Sequence, residues 1–112
     1  MFTPDSRVRV YACLESVDLR KSFSGLSGAV RMLLREDPLS GHAFLFFNRR
    51  RTYLKVLWWD RTGYCIVAKQ LVRGTFGKID QVTLTMAELS QVLAGIELQK
   101  ISHRKLYQYH PQ

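Results

Sequence analysis

Cysteine is nearly missing from this chain of 112 residues. Cys13 and Cys65 stand far apart and belong to no CxxC pair, which argues against both a zinc site and a disulfide framework. Each lies in an apolar, strand-like pattern, where a reduced thiol packs as a small hydrophobe. Long apolar runs are missing too. No stretch approaches the ~20 residues that a membrane-spanning helix requires, and the opening MFTPDSRVRV has no apolar core of the kind a secretory signal carries. A soluble cytoplasmic protein with no membrane partner is the expectation. Acidic residues are the third shortage, with nine Asp and Glu against 17 Lys and Arg, a formal charge of +8. That imbalance favours polyanions, of which nucleic acid is the commonest inside a cell. Charge alone is met equally well by a basic protein with a solvated surface.

Catalytic patterns are also wanting. Asp18, Asp37, Asp60 and Asp80 are scattered over loops and turns, unlike the convergent carboxylates that two-metal strand transfer needs. His42, His103 and His110 have no ligand spacing, and no Ser-His-Asp or Cys-His arrangement is evident. The glycines form no phosphate-cradling loop after a strand. Ser22, Ser24 and Ser27 suit the capping of a helix start. The expectation is a non-enzyme with no metal and no cofactor. There is no internal repeat or low-complexity linker, and the length allows one core. A single domain is assigned to residues 1–98, followed by a basic, polar tail over 99–112 that is expected to be loosely docked.

What is present reads as α+β. RVRVYACL (7–14) alternates Val8, Val10 and Ala12 against Arg7, Arg9 and Tyr11, the period of a half-buried strand. SFSGLSGAVRMLLRED (22–37) places Phe23, Leu26, Val30, Leu33 and Leu34 near one helical stripe. Gly25 and Gly28 either weaken its start or permit close approach to the sheet. Asp37-Pro38 is expected to stop it, because the residue before proline leaves the helical region. HAFLFF (42–47), TYLKVLWW (52–59) and YCIVAKQL (64–71) predict three strands. GTFGKIDQVTLT (74–85) can add one or two short ones. TMAELSQVLAGIEL (85–98) predicts a second helix. Thr85 and Glu88 make a capping box, Leu84 and Leu89 a hydrophobic staple, and Gly95 a stop. Leu89, Val92, Leu93 and Ile96 form its buried stripe. The expected fold is an antiparallel sheet of about four to six strands, with two helices packed mainly on one face.

Two loops stand out. NRRRT (48–52) sets three arginines at a sheet tip, and DRTG (60–63) has the pattern of a three-residue hairpin loop closed by a glycine bulge. The register that follows opposes Trp59 to Cys65, Leu57 to Val67 and Lys55 to Lys69. Facing lysines are unfavourable by roughly 0.2–1 kcal/mol, unless solvent screens them or an anion covers them. One face then collects Phe44, Phe46, Leu54, Val56, Trp58, Ile66 and Ala68 as the main core. The other mixes aromatics with lysines: Leu45, Phe47, Tyr53, Lys55, Leu57, Trp59, Val67 and Lys69. A cationic, aromatic-bearing sheet holds single-stranded nucleic acid by stacking and phosphate contact. The arginine loop equally suits a duplex backbone, which it would position without reading sequence. Lysines that snorkel into water and a face buried against another subunit are alternatives.

The longer pattern carries more. VDLRKSFSGLSGAV, followed by EDPLSGHAFLFFNRRRTYLKVLWWDRTGYCIVAKQLVRGTF, resembles the TnpB-type accessory proteins encoded by the short second reading frame of bacterial insertion sequences of family sixty-six. These are unrelated to the RNA-guided nuclease that shares the name. The resemblance covers about residues 7 to 98. Its specific parts are D-x-R-K on Asp18, Arg20 and Lys21, then D-P-x-S-G-x-x-F on Asp37, Pro38, Ser40 and Gly41. The arginine loop follows on Arg49 and Arg50, then K-x-L-x-W-D-x-x-G on Lys55, Trp59, Asp60 and Gly63. K-x-L-x-x-G-x-F on Lys69, Leu71, Gly74 and Phe76 closes the pattern. The chain departs at KQLV (69–72), where the family commonly has K-R-L-E, and at GKI, where W-P commonly follows G-x-F.

The resemblance implies an accessory protein of a mobile element, working beside a separate transposase that carries the strand-transfer chemistry. Together with the charge, it leads to the expectation of a non-enzymatic accessory protein for DNA transposition that contacts the element ends. Arg49, Arg50 and Arg51 are the expected phosphate contacts, with Lys55 and Lys69 as a second patch. Arg20 and Lys21 extend the surface if the 15–22 loop lies nearby. The rival is an adaptor that bridges or recruits transposase subunits without touching DNA, anchored by Phe47, Tyr53 and Trp59. A homo-oligomer built through the same face is a variant of that rival.

Overall fold

The computed structural model describes residues 7–95. Five strands form one sheet in the order β4-β3-β2-β1-β5: β1 (Val10–Ala12), β2 (Ala43–Phe47), β3 (Tyr53–Trp59), β4 (Tyr64–Gln70) and β5 (Thr83–Leu84). The strands β2, β3 and β4 make an antiparallel meander, while β1 runs parallel to β2 and antiparallel to β5. The parallel pair follows from its connection, since a crossover carrying a helix returns the chain in the same direction. That helix, α1 (Phe23–Ala29), runs on into a π-helical turn (Val30–Leu34); α2 (Met86–Leu93) follows β5. The fold is therefore α+β with a mostly antiparallel sheet. Ile96 and the tail over 99–112 lie outside the described residues.

The helices cover opposite faces, which corrects the expectation that both pack mainly on one. AFLFF has no polar residue to offer water, and all five residues of β2 are buried, so both faces of the sheet's middle need cover. Ala43, Leu45 and Phe47 pack with Leu54, Val56, Trp58 and Phe76 against Leu89 and Val92 of α2. Phe44, Phe46 and Leu57 pack against Leu26, Ala29 and Val30, together with Cys13, Val17 and Leu19 from the chain leading into α1.

The hairpin register also differs by one residue from the expected one. β3 and β4 pair Trp59 with Tyr64, Leu57 with Ile66, Lys55 with Ala68 and Leu54 with Lys69. The turn is the cause. Asp60 Oδ1 accepts the amide N–H groups of Thr62 and Gly63 (both 3.0 Å) and the Thr62 hydroxyl (2.9 Å). The Asp60 N–H donates to the Gly63 carbonyl at 3.1 Å, closing the hairpin one residue tighter than a glycine-bulge loop. The positive φ falls on Arg61 (84°) and not on Gly63. Because alternate residues face opposite sides, Lys55 and Lys69 end on opposite faces and do not oppose each other. On the other side of β3, Phe47 pairs with Leu54 and Phe46 with Lys55. Phe47 therefore belongs to the α2 core.

The two helices start differently. At α2 the Thr85 hydroxyl accepts the Glu88 N–H (3.1 Å) while the Glu88 carboxylate accepts the Thr85 N–H (2.9 Å), and Leu84 and Leu89 are both buried. Gly95, at φ 83°, follows its C-terminus. α1 has no side-chain cap from Ser22. It ends before Asp37-Pro38, where Arg35 adopts the left-handed conformation (φ 56°). A Cβ at Gly25 would meet the Lys21 Cβ at 2.9 Å, so this glycine admits the Lys21 stem, not the sheet.

Two outcomes follow in solution. Phe44→Ala is expected to cost about 3–5 kcal/mol in urea unfolding, against about 1 kcal/mol for Thr85→Ala; equal costs would contradict the two-sided core. The donors on Asp60, led by the Thr62 N–H, hold its carboxyl down to about 2, below the ordinary ~3.9 of an unfolded chain. Its contribution to stability is therefore present above about pH 4 and is lost as pH falls towards 2. Asp60→Asn is expected to flatten that part of the melting-temperature profile, and an unchanged acid slope would contradict the turn's role.

Candidate nucleic-acid interface

Asn48 builds the arginine loop. Its amide oxygen accepts the N–H groups of Thr52 (2.9 Å) and Tyr53 (3.1 Å), and its amide nitrogen donates to the Thr52 hydroxyl (3.1 Å). Its carbonyl accepts the Arg51 N–H at 3.1 Å, and Arg51 takes a left-handed conformation, φ 57°. That backbone turns the third arginine inward. Its guanidinium stacks 4.0 Å over the Phe47 ring and donates to the carbonyls of Phe76 (3.3 Å) and Gly77. Burial pulls its pKa down from the ordinary arginine value, though a guanidinium stays charged throughout the physiological range. Arg49 and Arg50 remain exposed at the tip. Three consecutive arginines thus divide into one anchor and two that face water.

The lysines serve the scaffold on separate faces. Lys55 Nζ donates to the Lys21 carbonyl at 2.9 Å, tying the chain before α1 to the sheet. Lys69 Nζ donates to the Leu93 carbonyl at 2.5 Å, where it meets an orphan acceptor and the negative end of α2. They do not form one patch. Arg20 is paired within its own turn, its Nη2 lying 2.7 Å from Asp18 Oδ2. That guanidinium holds the Asp18 carboxyl well below the usual carboxylate range. The charge of Arg20 is thereby offset locally, while Lys21 is exposed.

Backbone bonds gather these segments at one end of the sheet. The Val17 N–H donates to the Phe47 carbonyl (3.0 Å), the Leu71 N–H to Thr52 (2.8 Å) and the Phe76 N–H to Arg51 (2.7 Å). The loop 15–22 and the segment 71–78 therefore flank the arginine loop. Arg73 and Lys78, exposed residues that the sequence did not single out, join this end. An open hollow of about 260 Å³ lies beside the loop, lined by Leu14, Glu15, Ser16, Phe47, Asn48, Arg49, Arg51, Lys78 and Ile79. The proposed partner anchors do not share a surface. Phe47 is 2% exposed in the core, which removes it as a surface anchor. Tyr53 packs at the α1 core, and Trp59 makes an edge contact with Tyr64 (5.1 Å) at the far end of β3. Among the described residues no group of three His, Cys, Asp or Glu side chains is placed to hold a metal ion. No helix of the described residues is long and apolar enough to cross a membrane.

A family model described as IS66 Orf2 like protein matches residues 8–103. The chain belongs to this family. Two similar proteins come from Sinorhizobium fredii (strain NBRC 101917 / NGR234), both named as uncharacterized. Protein y4hO is 34% identical over 87% of this chain and 88% of its own length. Protein y4jC is 27% identical over 93% and 92%. No solved structure matches. Membership in the IS66 Orf2-like family ties the chain to transposition in an accessory capacity.

In this IS66 Orf2-like chain most residues of the motif hold loops in place. Asp18 and Asp60 are turn acceptors, Asp37 Oδ1 accepts the Leu39 N–H at 2.9 Å, and Gly41 and Gly74 take φ of 88° and 76°. Phe76 is core. Of the departures, Gln70 ends β4 opposite Tyr53 and Val72 is fully exposed, at 102%. One base and one acid are lost together, so the charge at this end of the sheet is unchanged. Arg51→Ala is expected to lower stability by about 2 kcal/mol through its lost carbonyl and ring contacts. Arg49→Ala and Arg50→Ala should stay within about 0.5 kcal/mol of the parent. Equal effects of all three in urea unfolding would contradict the division between anchor and tip.

Proposed function

We propose that this chain is a non-enzymatic accessory protein of IS66-type transposition that holds duplex DNA by its backbone, with Arg49 and Arg50 as the principal phosphate contacts. The observation that carries the reading is the construction of the loop. Asn48 and Arg51 commit their hydrogen bonds to fixing it, and its two exposed side chains of greatest reach are both guanidinium groups. Lys78 lines the hollow beside it with Arg49, and Arg73 lies on the flanking segment between the Leu71 and Phe76 backbone bonds. A loop held in this way suits a phosphate backbone, which its two arginines would position without reading sequence.

Burial favours duplex over single strand. The face expected to stack bases is not one surface, because each side of the sheet carries a helix, Phe47 is core on the α2 side and Tyr53 packs at the α1 core. With Phe47 buried and the half-buried Tyr53 and Trp59 at opposite ends of β3, the stacking mode of single-strand binding has no continuous platform. The partners in this reading are the DNA of the element's ends and the transposase of the same element. The adaptor reading moves to another surface. Phe23, Met32 and Leu33, along α1 and its π-helical turn, are 47%, 76% and 44% exposed, and they suit a contact with the transposase that leaves the arginine loop free.

Fluorescence anisotropy with a labelled duplex and a matched single strand, at several salt concentrations, tests the DNA contact. The duplex is expected to bind more tightly. The double variant Arg49→Ala/Arg50→Ala should weaken binding and reduce the salt slope by about two. An unchanged Kd and slope in the double variant would overturn the assignment.

A further inference from the structure

The two edges of the sheet are unequal. β5 is two residues long, whereas β4 runs for seven residues in unbroken register with β3. The bonds from Asp60 N–H to Gly63 O and from Leu71 N–H to Thr52 O fix which residues of β4 point inward. Cys65, Val67 and Lys69 exchange bonds with β3, so the N–H and C=O groups of Tyr64, Ile66, Ala68 and Gln70 point outward. Among the described residues no strand pairs with this row. The usual protections of an edge are lacking. β4 has no proline and no bulge, and the ammonium of its one lysine is drawn away to the Leu93 carbonyl.

We propose that two copies of the chain pair antiparallel through β4, about a two-fold axis at Val67, to form one continuous ten-stranded sheet. The strand's own chemistry selects the occupant and the register. Centring on Val67 pairs all seven residues; centring on Ile66 or Ala68 pairs five. It sets Ile66 against the partner's Ala68, large against small on the α1 side. It also sets Lys69 against the partner's Cys65. In each copy the Cys65 thiol donates to Asp60 Oδ2 at 3.5 Å and the Lys69 ammonium stays on its own Leu93 carbonyl, so no like charges face each other. Val67, 37% exposed, meets itself in a non-hydrogen-bonded pair, where side chains approach most closely. Such a contact is self-complementary and closes at two copies. The two arginine loops then point in opposite directions along the strands.

Analytical ultracentrifugation of the full chain is expected to give a mass near twice the 13.0 kDa of one copy. Ala68→Pro removes only an outward N–H, which an edge strand tolerates. It should halve the mass with an unchanged far-UV circular dichroism spectrum. In a Cys13→Ser/Cys65→Ser background, Val67→Cys should form an interchain disulfide on mild oxidation, since Cα atoms about 4.5 Å apart fall within disulfide range. A monomeric parent, a dimeric Ala68→Pro chain or no cross-link at position 67 would each overturn the proposal. A monomer whose outward β4 amides resist hydrogen exchange would assign the edge to residues 96–112 instead.

Discussion

Each side chain of AFLFF in β2 is buried, three in the core beneath α2 and two in the core beneath α1. A strand with no solvent face has to sit in the interior of its sheet, with a strand on each side and a helical cover above and below. The neighbours β1 and β3 supply the first condition, and α1 and α2 the second. Pairing is then closely specified, because a slip of one residue would exchange the two cores. Both faces being covered, the chain meets solvent at the sheet's ends, at its edges and on the outer sides of its helices. Side chains that act on a large partner must project from those places.

The positive charge is distributed accordingly. Several cations close internal contacts. Arg51 stacks on Phe47 and reaches the 76–77 carbonyls, Lys55 holds the approach to α1, Lys69 sits at the end of α2, and Arg20 folds onto Asp18. Others gather at the β2–β3 end, where Arg49 and Arg50 stand on a loop whose backbone is held by Asn48 and by two neighbouring segments. Arg61 sits on the turn at the opposite end of β3, and Arg31 and Arg35 lie in and after the π-helical turn. A loop whose backbone is already held loses little main-chain freedom on meeting phosphate, which is the advantage of preorganisation.

Much of this was legible because it is local. The capping box of α2, the strand segments, the arginine loop and the β–helix–β order are written in contiguous residues. The turn at 60–63 shows where local pattern runs out. Aspartate first and glycine fourth fit more than one hairpin loop, and the choice rests on Asp60 Oδ1 gathering three donors from within the turn. The roles within Arg49-Arg50-Arg51 were hidden for another reason. Only the third reaches carbonyls twenty-five residues further along the chain, and nothing in three identical side chains marks it. Arg73 and Lys78 escaped notice because their place beside the loop depends on the return of segment 71–78. HAFLFF carried a sign of two-sided cover in its lack of any alternation, although a one-sided sheet was expected from it.

Backbone amide NMR during titration with a short duplex tests the central claim most directly. Shift changes confined to Asn48–Thr52, Asp18–Lys21 and Arg73–Lys78, with Ser40–His42 and Asp60–Gly63 unmoved, are the predicted result. Changes centred on the 60–63 turn or spread along the outer face of α1, with the arginine loop silent, would contradict it.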